Sequence, residues 1–339
     1  MTPGSYNETI LSAIESELQQ QIDLLNELRT GEFHEMLTYH MGWSGEGAGP
    51  DACGKRTRPL MVCLMYASVS PSADFHDVLP AAVAVELIHN FSLVHDDIQD
   101  QSLLRRGRPT VWKRWGVAQA INAGDVLFIL AHQSLFNLRD RFKPDKVFSA
   151  GQIIQEACLN LTRGQFLDLS FEKRKDVSVE EYWGMISFKT AALLSASTHI
   201  GAILAGLTET RLESCREFGH YLGMAFQVYD DYLGIWGDSA LTGKSTESDL
   251  VTGKKVLPVL IGLEKKGAFS KRWLKGSVQP EEAPSLAEQL SKEGVKLFTL
   301  EMADQFTDRA LQALRLSDPQ GEAAEGLYAL AQGLVKRQS

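Results

Sequence analysis

Apolar residues recur three and four positions apart along almost the whole chain, and β-branched alternating runs bounded by turn residues are hard to find. This periodicity predicts an all-α fold. Stretches rich in glycine, proline and small polar residues interrupt it at 42–59, 71–80, 105–110, 141–146, 237–255 and 278–285, which spaces helices of roughly 15 to 30 residues. None of these breaks is long and polar enough for an interdomain linker, and no internal repeat or low-complexity segment stands out. The expected architecture is therefore one large helical bundle over 1–339, with roughly the first 20 residues flexible.

The chain has 339 residues, 44% of them hydrophobic, enough for one large core or two ordinary domains. Its formal net charge of -9 excludes a general basic field for a nucleic acid or an anionic membrane surface, so any anionic ligand must be held locally. Cys53, Cys63, Cys158 and Cys215 are scattered without zinc or disulfide spacing, which predicts a reducing cytoplasm. The opening residues lack a basic stretch followed by an apolar run, so they read as helix rather than signal peptide. The uncharged run 190–208 contains Ser, Thr, His and Gly and reads as a buried helix rather than a membrane span.

The chemistry concentrates in "LVHDDIQDQSLLRRGRPT", residues 93–110. Residues 81–100 read as one helix with an apolar stripe of Val83, Leu87, Ile88, Phe91 and Val94. On that helix Asp96 and Asp100 share a face, about 5–6 Å apart, and their repulsion costs a few tenths of a kcal/mol unless a cation reverses its sign. Carboxylates without His or Cys at ligand spacing favour a hard ion, and one or two carboxylates per ion is how Mg²⁺ is held when substrate phosphates complete its shell. A solvated acidic helix end is the alternative for one such cluster. A second cluster, Asp230 and Asp231 in "DDYLGIWGD", ends another helical stretch, and the two are expected to face each other across the bundle.

Basic residues accompany both clusters: Lys55, Arg56 and Arg58 after a Gly-rich loop, Arg105 and Arg106 after the first aspartates, and Lys244, Lys254 and Lys255 after the second. Acid for metal and base for phosphate belong together when the ligand is a metal-chelated diphosphate, and this many cations imply two anionic groups. No P-loop or dinucleotide-binding glycine pattern is present to cradle phosphate instead.

In this order the motifs resemble those of the trans-isoprenyl diphosphate synthases, the head-to-tail polyprenyl synthetase family, over about residues 20–335. "GKRTRP" (54–59) is similar to the family's first basic motif, which implies that Lys55 and Arg58 hold the diphosphate of isopentenyl diphosphate. "HNFSLVHDDIQD" (89–100) resembles the first aspartate-rich motif, with Asp96, Asp97 and Asp100 as metal ligands and His89, two turns before Asp96, reaching the isopentenyl diphosphate. The resemblance gives Arg105 to the allylic diphosphate and Arg106 to the isopentenyl one. "FKTAAL" (188–193) resembles the Lys-Thr motif, with Lys189 and Thr190, and "FQVYDDYLGIWGD" the second aspartate-rich motif, with Gln227 and the metal ligands Asp230 and Asp231. "TGKS" and "TGKKVLP" match the two lysines, Lys244 and Lys254, that close over the allylic diphosphate. The chain departs at Gly234, where many members have a third aspartate, and the strength of that metal site is what the change affects.

The implied fold is the helical isoprenoid synthase bundle with a central active-site cavity, working as a homodimer that does not span a membrane. The implied reaction is Mg²⁺-dependent condensation of isopentenyl diphosphate with an allylic diphosphate, with three ions on the bound diphosphate. Mg²⁺ with Arg105, Lys189, Lys244 and Lys254 would meet the leaving group's charge, and oxygens at Thr190 and Gln227 would stabilise the allylic cation. An aromatic at Phe91, five residues before Asp96, and no insertion within DDIQD imply a C20 product. Helix geometry leaves a C15 or longer product open, since Ser92 lies nearly under Asp96 and Phe91 is rotated about 140° from it. A class I terpene cyclase would need one diphosphate site and a different second metal motif; a non-catalytic synthase subunit would lack the first aspartates, which are intact here.

Overall fold

The computed structural model describes residues 3–27, 29–70, 72–237 and 249–335. Its α-helices are α1 (Pro3–Asp23), α2 (Gly31–His40), α3 (Pro50–Cys53), α4 (Thr57–Val69), α5 (Leu79–Gln99), α6 (Val111–Trp115), α7 (Val117–Phe136), α8 (Pro144–Lys173), α9 (Val179–Ile186), α10 (Ala192–Ala205), α11 (Glu209–Trp236), α12 (Asp249–Thr252), α13 (Leu257–Glu264), α14 (Ala268–Trp273), α15 (Ala283–Lys292), α16 (Val295–Leu316) and α17 (Gly321–Val335). Among the described residues the only strands are β1 (Leu104–Arg105) and β2 (Arg108–Pro109), an antiparallel hairpin that overlaps the expected 105–110 break. Its two-residue loop, Arg106 and Gly107, has φ of 51° and 74°, the left-handed pair that matches strand twist in a tight hairpin.

Backbone proximity divides the chain into two compact units. The first comprises Met1–Cys158, Leu193–Arg216 and Ala313–Leu330. Its centre is α5, whose residues Ala81 to Ile88 are all buried and which packs chiefly against α7. Pro80, in the first turn of α5, costs no hydrogen bond, because the N–H it lacks has no partner there in any helix. Helix α1 joins this core: Ile10, Ile14, Leu18 and Ile22, one turn apart, are each fully buried. The flexible start expected from sequence is therefore corrected, because the stripe provides about four buried aliphatic side chains to pin the helix.

The second unit comprises Leu159–Ala192, Glu217–Gln312 and Ala331–Ser339. Its core gathers Tyr182 and Ile186 of α9, Val228 of α11, Leu257 and Leu260 of α13, Phe269 of α14 and Leu286 and Leu290 of α15. Between α9 and α10, residues Ser187–Ala191 form a π-helical turn. Two glycines let neighbours press against it: a Cβ at Gly164 would lie 2.6 Å from the Lys189 Cα, and one at Gly223 would lie 2.5 Å from the Ala191 Cα.

Two helical segments, Phe75–Gln99 and Val179–Ala205, are long and apolar enough to cross a membrane by length and composition, yet 67% of each apolar window is buried inside the protein. Replacing Ile14 with Ala is expected to destabilise the protein by about 2–5 kcal/mol, read as a lower urea midpoint at unchanged slope.

Candidate active site

Helix α5 carries the first aspartates at its end because the apolar run stops there. Asp100 is its C-cap, and the Asp100 N–H donates to the Asp96 carbonyl at 2.8 Å, so helical geometry persists through both carboxylates. Asp96 is half-buried and Asp100 exposed. Asp97 is only 2% exposed, and Arg105 clamps it: Nε donates to its two oxygens at 2.8 and 3.0 Å, and Nη2 to Oδ1 at 2.8 Å. Burial pushes the Asp97 carboxyl above the usual carboxylate range, against the Arg105 fork. The sequence placed Asp97 among metal ligands, but its oxygens are committed to Arg105.

The basic loop is organised by a residue the sequence had only counted among its cations. Arg56 adopts φ 45°, is 4% exposed, and donates to Glu15 Oε1 at 2.6 Å, to Glu86 Oε1 at 2.8 Å and to the Met41 carbonyl at 3.3 Å. It is a structural tie, and it sets the flanking Lys55 and Arg58. Arg58 Nη1 donates to His89 Nε2 at 3.2 Å, while the buried Arg58 Nε has no partner among the described residues. A guanidinium only donates, so Nε2 accepts and the His89 proton sits on Nδ1. Burial, then Arg58, Arg106, Arg105 and Arg56, hold His89 well below the imidazole range. A neutral histidine among four guanidiniums, one with an unsatisfied buried N–H, is a cradle shaped for an anion.

Arg106 donates from Nη1 to the Ala52 carbonyl at 2.8 Å. Position 54 must be glycine for two reasons: its φ is 80°, and a Cβ would fall 2.5 Å from Arg106 Nη2. Beside these groups lies a small cavity of about 20 Å³, the size of one water, whose lining includes His40, Asp97, Arg105, Arg106, Arg108 and Thr110. His40 Nε2 is buried there without a partner among the described residues, and burial with Arg105, Arg106 and Arg56 lowers this imidazole to about 3.

In the second unit Lys189 and Thr190 sit on the π-helical turn, a feature that frequently marks functional positions. Lys189 is ion-paired with Asp168 of α8, a residue the sequence reading missed although it stands as a lone acid in the apolar "GQFLDLSF". The Thr190 hydroxyl donates to Gln227 Oε1 at 2.7 Å, and Gln227 Nε2 donates to Asp231 Oδ1 at 2.9 Å. Asp231 also accepts from the Tyr182 hydroxyl at 2.6 Å and from the Leu257 N–H at 2.9 Å. It is 3% exposed, and burial pushes its carboxyl up to about 7 against these donors. Like Asp97, Asp231 is thus committed to protein partners, whereas Asp230 stands half-buried beside it on α11. Burial first, then Asp231, holds the Tyr182 hydroxyl well above its usual range, and Asp230 and Asp168 lie close enough to add to the effect. Lys55 and Lys254 are exposed, Lys255 donates to the Phe171 carbonyl at 2.5 Å, and Lys244 lies outside the described residues.

Among the described residues no three His, Cys, Asp or Glu side chains form a ready metal cage. Carboxylates such as those of Asp96 and Asp100 on α5, or of Asp230 on α11, are the all-oxygen kind of donor that Mg²⁺ takes one or two at a time, its octahedron normally being completed by waters and substrate phosphates.

The family model described as Polyprenyl synthetase matches residues 50–292. The chain belongs to the polyprenyl synthetase family. It is 39% identical over 315 residues to the (2E,6E)-farnesyl diphosphate synthase of Mycobacterium tuberculosis (strain ATCC 25618 / H37Rv), covering 90% of this chain and 86% of that one. It is 37% identical over 264 residues to the geranylgeranyl diphosphate synthase of Methanosarcina mazei, covering 78% and 80%. The crystal structure of geranylgeranyl pyrophosphate synthetase from Pyrococcus horikoshii superposes with a TM-score of 0.86 at 33% identity, covering 98% of this chain and 100% of that one. The protein is therefore a trans-isoprenyl diphosphate synthase with the all-α isoprenoid synthase fold, a prenyltransferase of isoprenoid chain elongation in a family that uses Mg²⁺.

His40 gives this synthase an acid-sensitive element. Unfolded, the imidazole takes a proton near pH 6.5; folded, it resists until about pH 3, so stability falls as pH drops through that window. The His40→Gln variant is expected to lose less stability between pH 6 and 4 than the parent, by up to about 1.4 kcal/mol per pH unit, in urea titrations at stepped pH.

Proposed function

We propose that this synthase condenses isopentenyl diphosphate with dimethylallyl, geranyl or farnesyl diphosphate and delivers mainly the C20 product, geranylgeranyl diphosphate. The observation behind the two-substrate reading is the cradle around Arg58 and His89, which suits a second diphosphate independent of the aspartates. In this reading Lys55, Arg58, His89 and Arg106 bind isopentenyl diphosphate. Bound Mg²⁺, three ions with the substrate diphosphate, would neutralise charge on the leaving diphosphate, with Asp96, Asp100 and Asp230 holding it. Arg105, Lys189, Lys244 and Lys254 donate to the same leaving group. The carbonyl-side oxygen of Gln227 and the Thr190 hydroxyl, fixed against each other, face the allylic cation with partial negative charge.

Asp97 and Asp231 take different roles from those their motifs imply. Asp97 positions the Arg105 fork; Asp231 ties Gln227, Tyr182 and the start of α13 together. After carbon–carbon bond formation the released diphosphate accepts the proton, since no other base is assigned to the step. We propose that the two units act as one catalytic domain, in line with a family match that runs through 50–292. Four free thiols accord with work in the reducing cytoplasm.

Support for C20 comes from α5. Phe91 is braced edge-on by Phe128 at 5.2 Å and His95 at 5.0 Å, so its ring is a fixed wall, while the small Ser92 stands under Asp96 and leaves room for a growing tail. Purified protein with Mg²⁺, isopentenyl diphosphate and each allylic primer should yield a C20 alcohol after dephosphorylation. Phe91→Ala should then lengthen the product by at least one five-carbon unit, whereas a C15 end point in the parent would move the wall elsewhere.

The protein is also proposed to act as a homodimer. Val117, Ile121, Ile129 and Phe136 of α7 are 48%, 42%, 54% and 63% exposed and lie within about 120° of helix surface, an apolar face that a second copy would cover. Light scattering should return twice the chain mass, and Ile129→Glu with Phe136→Glu should lower it toward that of one chain.

A further inference from the structure

Arg108 of β2 stands directly opposite Arg105 of β1 in the hairpin register. Opposed residues of an antiparallel pair project from one face, and like charges there repel. Arg105 is neutralised by Asp97, but among the described residues no carboxylate pairs with Arg108. Its guanidinium is spent on backbone instead. Nε donates to the Glu46 carbonyl at 2.9 Å, Nη1 to the Tyr39 carbonyl at 2.8 Å and Nη2 to the Ser44 carbonyl at 2.5 Å. The group also lies over the Tyr39 ring, 3.9 Å from its centroid, and the Tyr39 hydroxyl donates to the Pro109 carbonyl at 2.8 Å. Residues 39–46 are thus wrapped around one side chain of the hairpin, which is left only 7% exposed. The wrap is tight at Gly45: its φ is 78°, and a Cβ there would fall 2.8 Å from the Tyr39 ring and 3.2 Å from Arg108 Nη2.

The two segments joined in this way carry different parts of the basic cradle. The hairpin holds Arg105 and Arg106; the wrapped loop runs on through Ala52, whose carbonyl accepts from Arg106, to Lys55 and Arg58. We propose that Arg108 is a positioning residue for the isopentenyl diphosphate site, taking Arg58, His89 and Arg106 as ligands of that diphosphate in line with the proposed function. By clamping loop to hairpin, Arg108 holds Arg106 in register with Arg58 and His89. A rigid plane of five donors can hold three separate carbonyls at once, whereas a lysine ammonium brings the charge without the plane.

Calorimetric titration of the full chain with isopentenyl diphosphate tests this, because loss of folded protein lowers the stoichiometry while loss of positioning raises the Kd. Arg108→Met keeps much of the side chain's length and removes every donor; it should raise the Kd, and the KM for isopentenyl diphosphate in elongation assays, by about 10-fold. Arg108→Lys should raise both nearly as much. Gly45→Ala disturbs the wrap from the loop side with Arg108 intact and should shift the Kd in the same direction, and the double variant Gly45→Ala/Arg108→Met should bind no more weakly than Arg108→Met alone. A parental Kd in Arg108→Met, with Arg106→Ala weakened, would overturn the positioning role and leave the isopentenyl site standing. Full recovery in Arg108→Lys would overturn it as well, since charge alone would then suffice. If Arg106→Ala itself binds like the parent, the assignment of Arg106 to isopentenyl diphosphate falls and the role of Arg108 falls with it.

Discussion

The buried Arg56 is the tie on which the first unit's chemistry depends. One guanidinium joins Glu15 of α1, Glu86 of α5 and the carbonyl after α2, and it does so from a left-handed backbone position at the start of α4. Removing Glu86, whose pair with Arg56 is fully buried, would leave a buried charge short of a partner, a loss of about 3–5 kcal/mol, and the more exposed Glu15 would cost less. Because Lys55 and Arg58 flank this anchor, their backbone positions are fixed by it. Glu86 extends the tie by accepting from Asn90, the residue after His89, at 2.9 Å.

A common electrostatic logic runs through both units. Each aspartate pair contains one residue buried and saturated by protein donors and one that is more open. Asp97 holds Arg105, and Asp231 holds Gln227, Tyr182 and the α13 N-terminus. Adjacent residues on a helix point about 100° apart, so a DD pair must address two directions. One carboxylate of each pair then turns into the scaffold and the other toward a less buried surface. The positive groups follow a similar division: Arg56 is internal scaffold, whereas Arg58 and Arg106 crowd a neutral His89. Concentrating cations in a partly desolvated place is unfavourable in the free protein, and an anion bound there would relieve it.

Much of the fold was legible in the sequence. The α5 boundary, expected at 81–100, is observed at Leu79–Gln99, because an uninterrupted apolar stripe leaves no other low-energy local structure. The short hairpin at 104–109 was not legible, since two residues per strand are too few to show alternation. The packed α1 was underestimated: its Ile10, Ile14, Leu18 and Ile22 stripe is visible, but mixed polar neighbours conceal how fully it is covered. The π-helical turn at 187–191 had no local signal; it depends on the close approach permitted by Gly164 and Gly223, far from it in the chain.

The sequence by itself determined the helical class and the kinds of group at the site, because a 3.6-residue period and the ordered acidic and basic motifs are local properties of the chain. It also marked Gly234 as a departure. Only the tertiary structure decided which members of each motif are committed to protein partners. Tyr182 and Leu257 reach Asp231, Asp168 reaches Lys189, and Asp249 fills the space above Gly234, all from other elements. Whether a carboxylate is available to a metal depends on its burial and on the donors around it, and both are set by which distant segments fold against it.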